Sequence, residues 1–255
     1  AGNRHTIRIN SYAPRGVWPR GMFCDKPKKR EDVALIYVTG DLHGDMERFK
    51  SKKLKKLKKG DTLIVCGDFG FVWDGGKKEQ KLLKWIGKRR YQILFVDGTH
   101  ENFDRLFDYE LFELGGAPAR HISGNLSYLQ RGVVYEIEGK KIFAFGGGES
   151  ENIESREKNQ LWWPQEMPSE EDFARGRENL EACGNEVDYI VTHEISSTVR
   201  TFLDMDCHDI HNLHDYLDEI GKQVKFKGWY FGHYHLDKMI SPLYTAVFKD
   251  VLPLK

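Results

Sequence analysis

The sequence predicts an α/β fold built on parallel strands. Two features carry that prediction. The first hundred or so residues hold three successive units in which an apolar strand ends in a short polar turn and gives way to helical periodicity. Later in the chain, two further apolar runs end in histidines, so that every Asp or His cluster falls directly after a strand.

In order, residues 1–32 are rich in Arg, Lys, Pro and Gly and lack period; they read as an irregular basic arm whose Trp18, Met22 and Phe23 dock on the body. A single domain is expected over 33–255. Residues 33–39 form a continuous apolar, β-branched strand ending at Gly40-Asp41-Leu42-His43-Gly44. A helix is expected from Met46, with Phe49, Leu54 and Leu57 on one face and lysines opposite, until Gly60-Asp61 stops it. The second strand, 62–66, ends at Gly67-Asp68. A basic helix over 78–88, with Leu82, Leu83 and Ile86 inward, leads to the third strand, 92–96, which ends at Asp97-Gly98-Thr99-His100-Glu101.

The second half opens with short strands at 126–129, 133–137 and 141–145, the last two joined by a Glu138-Gly139-Lys140 turn. Residues 149–168 read as a loop whose Trp162-Trp163 pack into the core, or else floor a pocket. Ser169 and the acids behind it open a helix to about Cys183. Residues 187–192 form a strand ending at His193. A helix over 210–220 precedes the strand 228–231, which ends at Gly232-His233-Tyr234-His235. Met239-Ile240 and residues 243–248 read as a closing hairpin.

Composition bounds the function less than pattern does. Lys plus Arg and Asp plus Glu are both 39, so overall charge names no partner. The lysine run from Lys50 to Lys59 reads as a solvated outer helix face rather than a nucleic-acid footprint, because no aromatics interleave it. Four cysteines without paired spacing suit free thiols in a cytoplasmic setting, with Cys66 buried. No run approaches the ~18 apolar residues of a membrane span.

The chemistry sits in Asp41, His43, Asp68, His100, His193, His233 and His235. Carboxylates mixed with imidazoles suit Mn, Fe, Zn or Ni better than Mg or Ca, which prefer oxygen alone. On an extended segment, residues i and i+2 share a side, so the D-x-H and H-x-H pairs are expected to reach one cluster. Gly40, Gly44, Gly67 and Gly232 let the backbone turn close to it. His5, His121, His208, His211 and His214 read as capped or surface residues.

Gly40-Asp-Leu-His-Gly, Gly67-Asp-Phe-Gly, Gly98-Thr-His-Glu and Gly232-His-Tyr-His, in this order across roughly residues 35–240, resemble the calcineurin-like metallophosphoesterase superfamily. The resemblance implies an α/β, or α+β, sandwich: two central sheets flanked by helices on both sides, with a dinuclear metal site at the strand ends. It implies that Asp41, His43 and His235 hold one divalent ion, that Asp68 bridges, and that His193 and His233 hold the other. Thr99 stands where the family places an asparagine ligand. A hydroxyl is shorter, so the second ion is expected to be held through water there or by fewer protein ligands. His100 matches the family histidine that faces substrate and leaving group. Phe69-Gly70 after Asp68 departs from the acidic residue and arginine of protein phosphatases and argues against that activity.

Two ions would bring a shared water toward a pKa of about 7. The resulting bridging hydroxide would attack phosphorus, with His100 helping the alkoxide depart. Glu101 is expected to orient His100 or a metal ligand, and Arg156 to contact substrate. The expected activity is hydrolysis of phosphomonoesters or phosphodiesters, on small phosphorylated molecules or nucleotides in preference to nucleic acid. The competing expectations are a weak or inactive metal-holding scaffold, which Thr99 favours, and a nucleic-acid-directed phosphoesterase.

Overall fold

Strands that are apolar on both faces need cover on both faces, and the computed structural model supplies it. It describes residues 34–150, 153–203 and 211–254; the arm expected over 1–32, with His5, His208, Cys24 and Cys207, lies outside them. The strands are β1 (Ile36–Thr39), β2 (Thr62–Cys66), β3 (Gln92–Val96), β4 (Leu111–Leu114), β5 (Ala117–Ser123), β6 (Leu126–Leu129), β7 (Val133–Ile137), β8 (Lys140–Phe145), β9 (Tyr189–Thr192), β10 (Gly228–Phe231), β11 (Lys238–Met239), β12 (Tyr244–Ala246) and β13 (Leu252–Pro253). The α-helices are α1 (Lys77–Gly87), α2 (Phe103–Phe107), α3 (Ile153–Lys158), α4 (Glu170–Ala182), α5 (Ser197–Arg200) and α6 (Asn212–Gln223).

Two mixed sheets result. One runs β13-β1-β2-β3-β6-β5-β4 and the other β11-β12-β10-β9-β8-β7. Each is parallel at its centre and antiparallel at its edges. Side-chain alternation then sorts each strand between two layers. In β2, Ile64 and Cys66 face the inter-sheet core with Val38, Leu94, Tyr135, Ala144 and Val191. Leu63 and Val65 face the opposite way, onto Phe49, Leu54, Leu83 and Ile86. In β8, Ile142 and Ala144 point between the sheets, while Phe143 packs outward with Phe173, Leu213 and Leu217. This is a two-sheet sandwich flanked by helices on both sides, as the motifs imply.

Several elements differ from the sequence reading. The helix expected from Met46 is two 3-10 turns, Met46–Lys50 and Leu54–Lys56. Phe49, Leu54 and Leu57 are buried as expected. Six lysines within 52–59 put like charges at helical neighbour spacings. Ser51 interrupts the run, its hydroxyl accepting from the Leu54 N–H at 3.3 Å. The presumed loop over 149–168 contains α3 and a 3-10 turn at Pro164–Glu166, and its tryptophans are half-buried rather than core. Trp163 stacks edge-on against Trp73 and donates its indole N–H to Asp104 at 2.9 Å. The β7–β8 hairpin turns over two residues, Glu138 and Gly139, because Lys140 already pairs with Ile137. Helix α4 starts as read, with Ser169 and Asp172 forming a reciprocal cap.

One buried ion pair fastens the first sheet to the connection that follows α3. Asp97, at the end of β3, accepts from Arg131 Nε at 2.9 Å and from the Tyr128 hydroxyl at 2.8 Å. Arg131 also donates to the carbonyls of Gln165 and Glu166, at 2.8 and 3.1 Å. Both charges are buried, so truncating Asp97 leaves Arg131 with Asp172, 3.5 Å away, as its remaining carboxylate. We predict that Asp97→Ala lowers the unfolding free energy in urea by about 3 kcal/mol or more; an unchanged midpoint would contradict this role.

Candidate metal centre

Five strands deliver the candidate residues to one end of the sandwich. Asp41 and His43 follow β1, Asp68 follows β2, Thr99 and His100 follow β3, His193 follows β9, and His233 and His235 follow β10. Their loops are tied to one another by main-chain bonds: Leu42 and His43 donate to the Asp68 carbonyl at 3.0 and 2.8 Å, and Gly232 donates to His193 at 3.1 Å. The approach is close enough to require glycine at two positions. A Cβ on Gly67 would lie 2.0 Å from the His193 ring, and one on Gly232 would lie 2.2 Å from the Cys66 carbonyl.

The histidines do not converge by sitting on extended segments, as the D-x-H and H-x-H spacings suggested. Among the described residues, seven non-glycine positions have positive φ, and four of them are candidate ligands: His43 (46°), Asp68 (45°), His233 (67°) and His235 (52°). An extended segment would carry the chain away from the strand end; left-handed residues fold it back. Each such residue costs on the order of 1–3 kcal/mol, held by the surrounding bonds.

The donor atoms are arranged for cations. His193 Nδ1 lies 3.0 Å from the Cys66 carbonyl, which fixes the proton there and leaves Nε2 as a lone pair. That Nε2 is 3.4 Å from Asp68 Oδ1 and 3.2 Å from His233 Nδ1. On the other side, His43 Nε2 and His235 Nε2 approach to 2.8 Å, and His235 Nε2 is 3.1 Å from Asp41 Oδ2. Asp41 Oδ1 accepts the His233 N–H at 3.0 Å, while its buried Oδ2 has no hydrogen-bond donor among the described residues. An orphaned carboxylate oxygen beside facing imidazole nitrogens is what a divalent ion would satisfy, so the residues present fit the metal the motifs imply. Asp41, His43 and His235 form one set close enough to share an ion, and His43, Asp68 and His100 another.

Asp68 is the most constrained group. Its Oδ1 accepts the main-chain N–H of Thr99 and His100 at 2.5 and 2.8 Å, and its Oδ2 lies 2.8 Å from His100 Nδ1. Burial pushes this carboxyl upward, but the facing His193 and His100 outweigh it and hold the pKa well below the usual range. Burial lowers the pKa of His43 and of His233. His193 is raised because Asp68 and Asp41 overcome its burial, and His235 is raised by the Asp41 carboxylate facing it.

Glu101 does not touch His100. It is fully buried and accepts the Phe69 and Gly70 N–H at 2.7 and 3.4 Å, bracing the Asp68 loop. Burial and the nearby Asp68 charge push its pKa well up. The Thr99 hydroxyl lies 3.1 Å from His100 Nδ1 and 3.4 Å from Asp68 Oδ1. Arg156, on α3, donates to the Thr99 carbonyl at 2.8 Å and lines a cleft of about 480 Å³ over the centre, with Glu149, Ser150, Arg200 and Tyr234.

Sequence reasoning passed over Glu194. Its buried Oε1 accepts the Ile195 N–H at 2.8 Å and the Tyr234 hydroxyl, while Oε2 lies 3.5 Å from His233 Nε2 and 3.6 Å from His214 Nε2. Burial opposes its charge, yet His233 and His214 hold its pKa far down. His214 is therefore no surface residue: it is buried at the start of α6, with the His211 ring stacked on it at 4.0 Å. Burial and His214 lower His211 to about 4. The one available signal was the carboxylate next to His193.

Among known proteins, the family model described as calcineurin-like phosphoesterase matches residues 34–237. No curated protein matches the chain.

Beneath Arg156 lies Glu166, buried, with Ser150 donating its hydroxyl at 2.5 Å and Arg156 Nη2 at 3.5 Å. Burial raises its carboxyl from 4.5 to about 7, against the Ser150 and Arg156 contributions. A raised acid favours the folded state when protonated, so this contribution is complete below 4.5 and is lost as pH rises through about 7. Urea unfolding at pH 5 and pH 8 should show the wild type losing roughly 2 kcal/mol relative to Glu166→Gln across that window. Parallel profiles for the two proteins would show that the carboxyl does not titrate there.

Proposed function

The chain belongs to the calcineurin-like phosphoesterase family, and from that premise we propose that its loop cluster hydrolyses a phosphoester using two divalent transition-metal ions, drawn from Mn, Fe, Zn and Ni. The observation that carries this reading is the convergence of imidazole nitrogens beside a carboxylate: His193 Nε2 lies 3.2 Å from His233 Nδ1, and His43 Nε2 lies 2.8 Å from His235 Nε2 beside the orphaned Asp41 Oδ2. Asp41, His43 and His235 would hold one ion, His193 and His233 the other, and Asp68 would serve both.

Bound ions supply Lewis-acid polarisation of the phosphoryl group and acidify a water. The remaining work falls to the chain. Asp68 holds His100 through Nδ1, which leaves Nε2 to protonate the departing oxygen. Thr99 acts through Asp68, giving it a main-chain N–H, and is not needed as a ligand. The Glu194 carboxylate, 3.5 Å from His233 Nε2, favours the proton on that nitrogen and so leaves Nδ1 toward the ions. Arg156 and Arg200 bring positive charge to a cleft sized for a phosphorylated small molecule or nucleotide.

Hydrolysis should require a divalent ion and stop with chelator. Asp68→Asn should lower kcat/KM at least ~10³-fold. His100→Ala should lower kcat ~10²-fold or more on an alkyl phosphate but far less on a nitrophenyl phosphate, whose leaving group needs no proton. Equal losses on both substrates would rule out proton donation by His100. In calorimetric titration of metal-free chain with Mn, Glu194→Gln should weaken one class of site ~10-fold or more; unchanged affinity would remove Glu194 from that role.

A further inference from the structure

Although the chain is neutral overall, its charge is not evenly spread. Between residues 50 and 90 it carries fourteen lysines and arginines against four acids. Three of those acids, Asp61, Asp68 and Glu79, are buried and spent on main-chain N–H groups, so that Asp74 is the exposed anion of the segment. Thirteen of the fourteen cations are exposed.

The fold gathers them on one side. The two 3-10 turns and α1 cover the same face of the first sheet, packing into one apolar cluster. Arg90 clasps them together, donating to the Leu57 and Lys55 carbonyls at 2.7 and 3.0 Å. Along α1, Lys77, Lys81, Lys84 and Lys88 recur at helical spacing, giving a cationic row with steps of roughly 5–6 Å over about 16 Å. Among the described residues Lys81, Lys84 and Lys88 have no anionic partner, whereas Lys50 and Lys53 pair with Glu47 and Asp250. An aromatic stands within this row. Trp85 is 38% exposed, with the Arg89 guanidinium 3.5 Å above its ring and Phe49 edge-on at 6.2 Å. The objection that the lysine run lacks interleaved aromatics therefore fails once α1 is laid beside it.

We propose that this face binds a single strand of nucleic acid, with the α1 lysines on successive phosphates and a base stacked at the Trp85–Arg89 pair. A cationic track with a stacking platform is the general chemistry of single-strand recognition. An anionic membrane would use the lysines equally, but insertion calls for exposed apolar side chains around the indole, and Trp85 is flanked by lysines and covered by a guanidinium. The inference does not rest on the phosphoesterase reading.

The test is fluorescence anisotropy of the full chain with labelled single-stranded RNA and DNA, in chelator so that hydrolysis plays no part. Duplex DNA, heparin and phosphatidylserine vesicles serve as competitors. Wild-type chain should bind a single strand, with log K falling linearly with log salt. The combined Lys81→Glu, Lys84→Glu, Lys88→Glu variant should weaken binding at least ~30-fold and reduce the slope by about 2. Trp85→Ala should weaken it ~10-fold with the slope unchanged. Both variants should keep the wild-type melting temperature and aryl phosphate hydrolysis; a Lys→Gln version of the triple variant replaces it if charge reversal impairs folding. Absence of binding at low salt, insensitivity to both variants, or preference for vesicles over oligonucleotide would each overturn the proposal.

Discussion

Asp68 stands where three loops meet, and the geometry of the sheet end depends on its being an ionised carboxylate in a left-handed backbone position. Its main-chain carbonyl takes the N–H groups of Leu42 and His43, and its side chain takes those of Thr99 and His100. Removing the carboxylate would leave the Thr99 and His100 N–H groups of the neighbouring loop unsatisfied. The strain of the left-handed histidines is tolerable because these bonds over-determine it. Glu101 underpins the arrangement from below by holding the Phe69 and Gly70 N–H groups.

Around that carboxylate the imidazoles are fixed from behind by different partners. The Cys66 carbonyl holds His193, Glu194 faces His233, and Asp68 itself holds His100. For His193 and His233 the partner faces one ring nitrogen and leaves the other toward the centre, whereas for His100 it leaves Nε2 to the cleft. The sandwich makes this possible because β1, β2 and β3 belong to one sheet and β9 and β10 to the other, so the candidate ligands arrive from two walls rather than one. Arg131 adds a second tie by linking the end of β3 to the connection that carries Glu166.

Much of this was legible in the sequence. Strands such as 62–66 and 92–96 are apolar on both faces, so their runs stand out against the polar turns. The candidate ligands were legible as a group because D-x-H and H-x-H directly follow such runs. Much of what escaped was either short or assembled from distance. Helix α2 and strands β4 and β13 span too few residues to show a period. The helix expected from Met46 failed through like-charge crowding, which an apolar pattern does not register. Glu194 draws its partners from Tyr234, His233 and His214, so nothing local marks it. The left-handed φ of the candidate ligands is likewise a tertiary property: Asp and His tolerate it better than most residues, but the surrounding bonds hold them there.

The most direct test of the account is the number of cations that this cluster takes up. Metal-free chain titrated with Mn in a calorimeter should bind two equivalents, and the Asp41→Asn, His235→Ala protein should retain one. A wild-type chain that binds no divalent ion, or a doubly substituted chain that binds as the wild type does, would contradict the claim that these side chains converge to hold a pair of ions.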